Sequence, residues 1–268
     1  MYHYTKKGGD FVLDPSALPE WIQPHSVKWY DQLSHLNGRY AYPWQSTYEL
    51  PNGETIFDSK VKKLIVNKEV IDIGCGDGFY TIQNGLYAKK IIGFDITNTF
   101  IEKAAENKSD HISFIQGDSK DGFPFKDSSF DFAYNRKGPT SSYPFLKRIL
   151  REGGTVLGLH PGDDLGKELP NIFPGFFPKL SGTPILDKLN KVLSKSKFLD
   201  YSIHTHHSLE FLHTPIDVIK YRCFGQSPQM IQAVIAESFQ EVTHLFDRYS
   251  SKKGLAVTFS RYIVNIKV

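Results

Sequence analysis

Cysteine is scarce in this chain of 268 residues, with only Cys75 and Cys223 present and far apart. Two thiols cannot complete a zinc knuckle by themselves, and a lone disulfide has no compartment argument behind it. An excess of one charge is lacking as well. The 32 Lys+Arg against 29 Asp+Glu leave a net charge of +3, and no third of the chain is a basic tail. Nucleic-acid binding would therefore have to rest on a local patch. No stretch approaches the ~20 apolar residues of a membrane helix, and the first ten residues have no apolar core of signal-peptide length. No membrane association and a cytoplasmic location are expected.

The chain is 40% hydrophobic and 23% charged, a balance that excludes intrinsic disorder. Its length suits one large domain, or one domain with a modest appendage, and needs no disulfide or metal to fold. Aromatic residues are unevenly spread. Tyr2, Tyr4, Phe11, Trp21, Trp29, Tyr30, Tyr40, Tyr42, Trp44 and Tyr48 all fall in the first 48 positions, and they include every tryptophan.

After short helices expected around 18–36, a helical periodicity runs from Glu54 to Val66 through Ile56, Phe57, Val61, Leu64 and Ile65. Strands and helices then alternate. Strands are expected at 69–73, 90–95, 112–115, 130–134 and 155–159, with helices at 78–88, 97–107 and 141–151. Continuous apolar strands separated by helices imply a parallel sheet covered on both faces. Residues 161–184 read as a Gly/Pro-rich loop, 185–196 as a basic amphipathic helix and 200–212 as a strand. Helices near 215–223 and 227–246 and a long terminal strand from Leu255 complete the chain.

The strongest chemical signal is Val70-Ile71-Asp72-Ile73-Gly74-Cys75-Gly76-Asp77-Gly78-Phe79-Tyr80, a strand running into a glycine turn that opens a helix. Glycines permit a sharp turn and close approach of a ligand, and the helix start aims N–H groups at it. A dinucleotide fingerprint wants Gly-x-Gly-x-x-Gly, but position 79 is Phe. A bare turn needs one glycine, not three flanked by acids. Asp95, closing the second strand 17 residues past Gly78 and followed by Ile96, can accept from ribose hydroxyls. Thr97 is expected to cap the next helix.

The Asp-x-Gly-x-Gly-x-Gly pattern resembles the first motif of class I S-adenosylmethionine (SAM)-dependent methyltransferases. Gly117-Asp118-Ser119, Phe130–Asn135 and Leu150–Leu157 resemble later motifs of that superfamily, in the right order. The resemblance covers about 60–268. It implies an α/β, Rossmann-like, seven-stranded sheet, mostly parallel with the last strand antiparallel. It also implies SAM as cofactor, S-adenosyl-L-homocysteine as product, and a cofactor site of Asp72, Gly74, Cys75, Gly76, Asp77, Gly78, Asp95, Ile96, Asp118, Ser119 and Asn135. On this view residues 1–52 form an N-terminal cap. Residues 53–268 form the methyltransferase domain, with substrate-side insertions at about 161–197 and 214–250.

Methyl transfer from a sulfonium needs alignment more than acid–base help, so the catalytic residue is not legible. Two candidates sit at carboxyl ends of strands, where ligands of open α/β sheets bind: His160 as a base, and Arg136 as a clamp for an anionic group. His204, His206, His207 and His213 suggest a metal, but no acid or cysteine joins them nearby, and none is predicted. The stripe Lys188, Lys191, Lys195 and Lys197 reads as a solvated helix face, or as a phosphate contact were the substrate RNA.

Asp-Ile-Gly-Cys-Gly-Asp-Gly-Phe-Tyr-Thr at 72–81, His-Pro-Gly-Asp-Asp-Leu at 160–165 and Leu-His-Thr-Pro at 212–215 are distantly similar to bacterial 23S rRNA guanine methyltransferases. Those enzymes begin with a four-cysteine zinc module, whereas the first 74 residues here hold no cysteine. A small-molecule acceptor held under the aromatic cap by Tyr40, Tyr42 and Trp44, with Arg136 and His160, is therefore the leading expectation. An rRNA or tRNA base is the alternative, and a SAM-binding protein without turnover is a third possibility. The oligomeric state is not readable from sequence.

Overall fold

The computed structural model describes residues 12–198 and 200–268, so Tyr2, Tyr4 and Phe11 of the aromatic segment lie outside the described residues. In chain order the elements are α1 (Val27–Asn37), β1 (Ser46–Tyr48), α2 (Gly53–Leu64), β2 (Glu69–Ile73), α3 (Phe79–Gly85), β3 (Lys90–Asp95) and α4 (Asn98–Ala105). There follow β4 (Ile112–Gln116), β5 (Phe130–Arg136), α5 (Tyr143–Ile149), β6 (Leu150–Pro161), α6 (Leu169–Ile172), α7 (Pro184–Lys195), β7 (Asp200–Leu212), α8 (Pro215–Arg222), α9 (Pro228–Tyr249) and β8 (Leu255–Lys267).

Local chemistry sets several of these boundaries. Ser26 Oγ accepts from Trp29 N at the start of α1, which stops at Gly38 in the left-handed region (φ 60°). Asn52 and Thr55 exchange side-chain and backbone hydrogen bonds of 3.0 Å as a capping box for α2. The glycine turn delays α3 to Phe79, and the helix ends at Gly85, shorter than the expected 78–88. Thr97 stands at the N-cap of α4 but its side chain makes no capping bond; Asp95 Oδ1 accepts from Thr97 N instead, at 2.8 Å.

The strands form one sheet in the order β1-β7-β8-β6-β5-β2-β3-β4. The five strands from β4 to β6 are parallel, β8 runs antiparallel to both β6 and β7, and β1 runs antiparallel to β7. The sheet thus has one strand beyond the seven expected. The addition comes from the N-terminal extension, where Ser46–Tyr48 pair with Leu212–Glu210 and cover part of the edge β7 would otherwise leave open. The expected boundary at 52/53 therefore falls just after residues that already belong to the sheet.

Apolar side chains from alternate strand positions fill both faces. Ile71, Ile73, Phe94, Val156 and Val264 pack with Tyr143, Leu146, Leu189 and Leu193 of α5 and α7. On the other face Val70, Ile91, Phe132, Leu157 and Ile263 pack against Phe57, Val61 and Ile65 near α2. Two further clusters hold the ends of the fold. Trp29 and Leu33 of α1 bury against Phe100 of α4, and Leu212 and Leu255 lie among residues of α6, α8 and α9.

Candidate functional site

The site lies where β2, β3 and β5 end. Gly74, Gly76 and Gly78 all have positive φ (73°, 53° and 75°), so the turn is built from left-handed residues that disfavour any side chain. A Cβ on Gly74 would lie 2.8 Å from Gly138 Cα, so the turn touches the loop after β5 backbone to backbone. A Cβ on Gly78 would meet Phe114 at 2.7 Å and Ala104 at 2.8 Å, and close helix–strand packing forbids it. At Gly76 the nearest atom is Tyr40 Cβ at 3.9 Å, leaving a Cβ-free cradle faced by the N-terminal extension.

Asp95 sits beside this cradle. Its Oδ2 accepts from Gly76 N at 2.9 Å and its Oδ1 from Thr97 N, which fixes the carboxylate at the end of β3. Burial raises its pKa, offset in part by these backbone donors. Asp72 lies beneath the turn, fully buried. Thr81 Oγ1 donates to its Oδ2 at 2.6 Å and Tyr134 OH at 2.8 Å, and Tyr134 in turn accepts from Asn84 Nδ2 at 3.0 Å. Burial pushes Asp72 up to about 7 despite those two donors. Its visible role is to tie β2, α3 and β5 together under the loop. Cys75 is buried, and burial pushes its thiol well above the ordinary value, away from thiolate chemistry.

The remaining expected cofactor residues lie at or just past the carboxyl ends of β3, β4 and β5. Ile96 is half-buried after β3. Asp118 Oδ1 accepts from Lys120 N at 2.9 Å, and Ser119 shares a 2.9 Å hydrogen bond with Ser141. Asn135 Nδ2 donates to Pro139 O at 2.8 Å, while its buried Oδ1 has no partner. A cradle without Cβ atoms, a pinned carboxylate at the end of β3 and an orphaned buried acceptor fit a nucleoside cofactor with a donor group. Asp77 is engaged differently, reaching Arg39 of the extension at 3.5 Å.

The extension packs beside the glycine turn and the loop after β5. Tyr42 stacks on Trp44 at 4.4 Å and Tyr40 meets Tyr42 edge-on at 6.2 Å, with Phe224 against all three rings. Lys137, at a positive φ of 65° just past β5, donates to Tyr42 OH at 2.8 Å. Trp44 Nε1 and Tyr48 OH both donate to Glu210 Oε1 of β7. Arg136 is held on both sides, donating to Asp58 (2.9 Å) and Glu54 (2.8 Å) with its guanidinium 3.8 Å from the Tyr80 ring centre. Arg261 of β8 joins the same Glu54 at 2.8 Å. Burial alone would raise the Glu54 carboxyl, but Lys137, Arg136 and Arg261 outweigh it and hold the group far below the carboxylate range.

His160 is placed elsewhere. It is buried between β6 and α5, with Nε2 at 2.7 Å from Tyr143 OH, and burial lowers its pKa to about 3. An imidazole so buried and neutral serves packing better than proton transfer. Of the histidine cluster, His207 reaches Asp164 at 3.0 Å and His206 Nε2 is buried without a partner. Among the described residues no group of three or more His, Cys, Asp or Glu could hold a metal.

No sequence motif marks Glu54, Glu210 or Arg261. Glu210 carried the clearest signal, as a carboxylate set between Leu209 and Phe211 in an apolar strand end. Lys137 directly follows the fourth motif strand.

Comparison with known proteins agrees with this geometry. Residues 65–165 match the model of a family described as a methyltransferase domain, a span that contains β2 to β6 and the whole glycine turn. A tRNA U34 carboxymethyltransferase of Nautilia profundicola is 29% identical over 154 residues, covering 50% of this chain and 48% of that protein. The chain thus spans about half the length of the curated relatives it matches. Among solved structures, a functionally unknown protein from Deinococcus radiodurans superposes with a TM-score of 0.61 at 19% identity, covering 89% of this chain and 98% of the other. A candidate methyltransferase from Bacillus halodurans gives 0.51 at 17% identity, covering 78% and 97%. At such identities the likeness is one of fold.

Proposed function

We propose, from a chain whose residues 65–165 match a family described as a methyltransferase domain, that the protein is a class I SAM-dependent methyltransferase and transfers a methyl group from SAM to a small acceptor enclosed by its N-terminal extension. The cofactor is SAM, which supplies an activated methyl on a sulfonium. Asp95 takes the ribose hydroxyls, the Gly74–Gly78 turn admits the chain of the cofactor, and Asn135 Oδ1 accepts from its amino group. Asp118 and Ser119 flank the base. Asp72 and Tyr134 hold the turn from below.

The extension carries the small-molecule reading. Arg39 on Asp77, Tyr42 on Lys137 and Trp44 on Glu210 fasten it to the glycine turn, the β5 loop and β7 in succession. Residues 12–52 so fastened form a cap over the strand ends, which orients the acceptor and excludes water. Orientation of this kind accounts for roughly 7–11 kcal/mol of barrier in well-aligned reactions. Tyr40, Tyr42 and Trp44 supply the acceptor walls, with Arg136 at their edge.

The test is transfer of labelled methyl from SAM into fractionated cell extract, with and without ribonuclease. A ribonuclease-resistant, low-molecular-weight acceptor supports the proposal, and loss of all labelling after ribonuclease overturns it. An RNA base is the second reading, favoured by the likeness to a tRNA-modifying enzyme. RNA binding would weaken steeply as salt rises, whereas a small uncharged acceptor would barely respond.

A further inference from the structure

Three cationic side chains converge on Glu54 and outnumber the carboxylates they touch. Arg136, Lys137 and Arg261 are 7%, 13% and 3% exposed, and all three lean on Glu54. Asp58 supplies the one other carboxylate, and it binds Arg136. Glu210 offsets none of them by contact, since its partners are Trp44 and Tyr48. By direct contact the three cations thus share two carboxylates, Glu54 and Asp58, and have the capacity to pair with one more anion.

The unused donors agree with the charge. Arg136 spends Nε and Nη2 on Asp58 and Glu54, and its Nη1 has no partner among the described residues. Lys137 donates one N–H to Tyr42 OH and pairs with Glu54 at 3.4 Å. Its ammonium stands 4.6 Å and 5.6 Å from the ring centres of Tyr42 and Tyr40, the residues that wall the acceptor side. The left-handed backbone of Lys137 is the kind of local strain that persists where the surroundings require it. A carboxylate or phosphate ester offers the fixed pair of oxygens that an Arg–Lys set of donors matches.

We infer that Arg136 and Lys137 form an oxyanion subsite, with Arg261 holding their shared Glu54 from the other side, and that the small acceptor carries a carboxylate or phosphate ester which binds there. This rests on the acceptor-side placement proposed above and specifies its chemistry.

The probes are benzoate and phenyl phosphate, with benzamide as the neutral control, titrated by calorimetry into the full chain at fixed ionic strength. Both oxyanions should bind saturably and benzamide should not. Tighter binding of benzoate points to a carboxylate acceptor, and tighter binding of phenyl phosphate to a phosphate ester. Lys137→Met should weaken binding by about tenfold or more, the worth of one charge-assisted hydrogen bond, while Lys137→Arg retains it. Arg136→Gln should also weaken it, and serves in place of Lys137→Met if that variant does not fold. Equal binding of benzamide, no binding of either oxyanion, or unchanged affinity in folded variants would overturn the inference. Oxyanion binding without methyl transfer to any fraction would sink the proposed function alone; methyl transfer without oxyanion binding would sink only this subsite.

Discussion

Trp44 Nε1 donates to Glu210 Oε1 across 2.8 Å, joining the N-terminal extension to the far end of β7, and Glu210 is only 1% exposed. Tyr48 donates to the same oxygen at 2.9 Å, and Gln45 N donates to Asp217 Oδ1 of α8 at 2.8 Å. A buried carboxylate without a cation beside it is stable only while such donors are in place. The extension is thus held by polar anchors at one end and by aromatic packing along its length.

Glu210→Ala should cost about 2–4 kcal/mol, because it leaves the Trp44 and Tyr48 donors without an acceptor in a place water reaches poorly. Glu210→Gln keeps an oxygen at the same position and should cost clearly less. Urea denaturation measures both, and hydrogen exchange at residues 46–48 should accelerate in the Ala variant alone. Equal stability of the two variants would refute an anchoring role.

Gly78→Ala should unmake the cofactor turn. The new methyl would sit 2.7 Å from Phe114 and 2.8 Å from Ala104 at a φ of 75°, so steric overlap adds to backbone strain. A loss of about 2–4 kcal/mol is expected from the left-handed penalty and overpacking together. Gly153→Ala is the control, because its φ is also 75° but nothing lies within 4 Å of the added carbon. If both substitutions cost the same, strain alone accounts for the effect and the close approach contributes nothing.

The parallel core of the sheet was legible because the strands from 69 to 136 are short, apolar and bounded by turn residues, a pattern that follows from burial on both faces. By contrast, β6 runs from Leu150 through Gly153 and Gly154 and is longer than the expected 155–159. β1 was not legible. Ser46-Thr47-Tyr48 has no apolar alternation, and its pairing with β7 depends on residues 210–212, far later in the chain. The proposed cofactor half of the site is local in sequence, since Gly74–Gly78 follow β2 and Asp95 ends its neighbour β3. The proposed acceptor half joins Glu54 of α2, Lys137 just after β5, Glu210 of β7 and Arg261 of β8, and no spacing rule relates them. His160 has the right sequence position, yet its side chain turns into the core, where Tyr143 meets it.

Asp95→Ala should weaken binding of S-adenosylhomocysteine by about 10- to 100-fold. Two hydrogen bonds from ribose would be lost, and the Gly76 amide would lose the acceptor that fixes the turn. Asp95→Asn keeps one carbonyl oxygen and should fall between wild type and Ala. Calorimetry on folded variants decides the matter, and unchanged affinity in Asp95→Ala would remove this residue from the cofactor site.

The pH dependence of stability should carry two opposing slopes. The folded pKa of Asp72 is raised by burial from 3.8 to about 7, so between those values the folded chain keeps a proton that the unfolded chain has released. Stability from this group is fully present below the lower value and is lost as pH rises toward 7. His160 behaves in reverse. Burial lowers it from 6.5 to about 3, the unfolded chain binds the extra proton in between, and its stability is present above 6.5 and lost as pH falls. Over their shared window the two slopes cancel, which hides both in the wild type. Asp72→Asn, which still accepts from Thr81 and Tyr134, should expose the histidine and gain stability from pH 4.5 to 6.5, by about 1–3 kcal/mol. His160→Gln, which can still bond Tyr143, should lose a similar amount over the same interval. Urea denaturation at the two pH values reads the signs directly, and slopes of the same sign in both variants would refute the assignment of either group as buried and neutral.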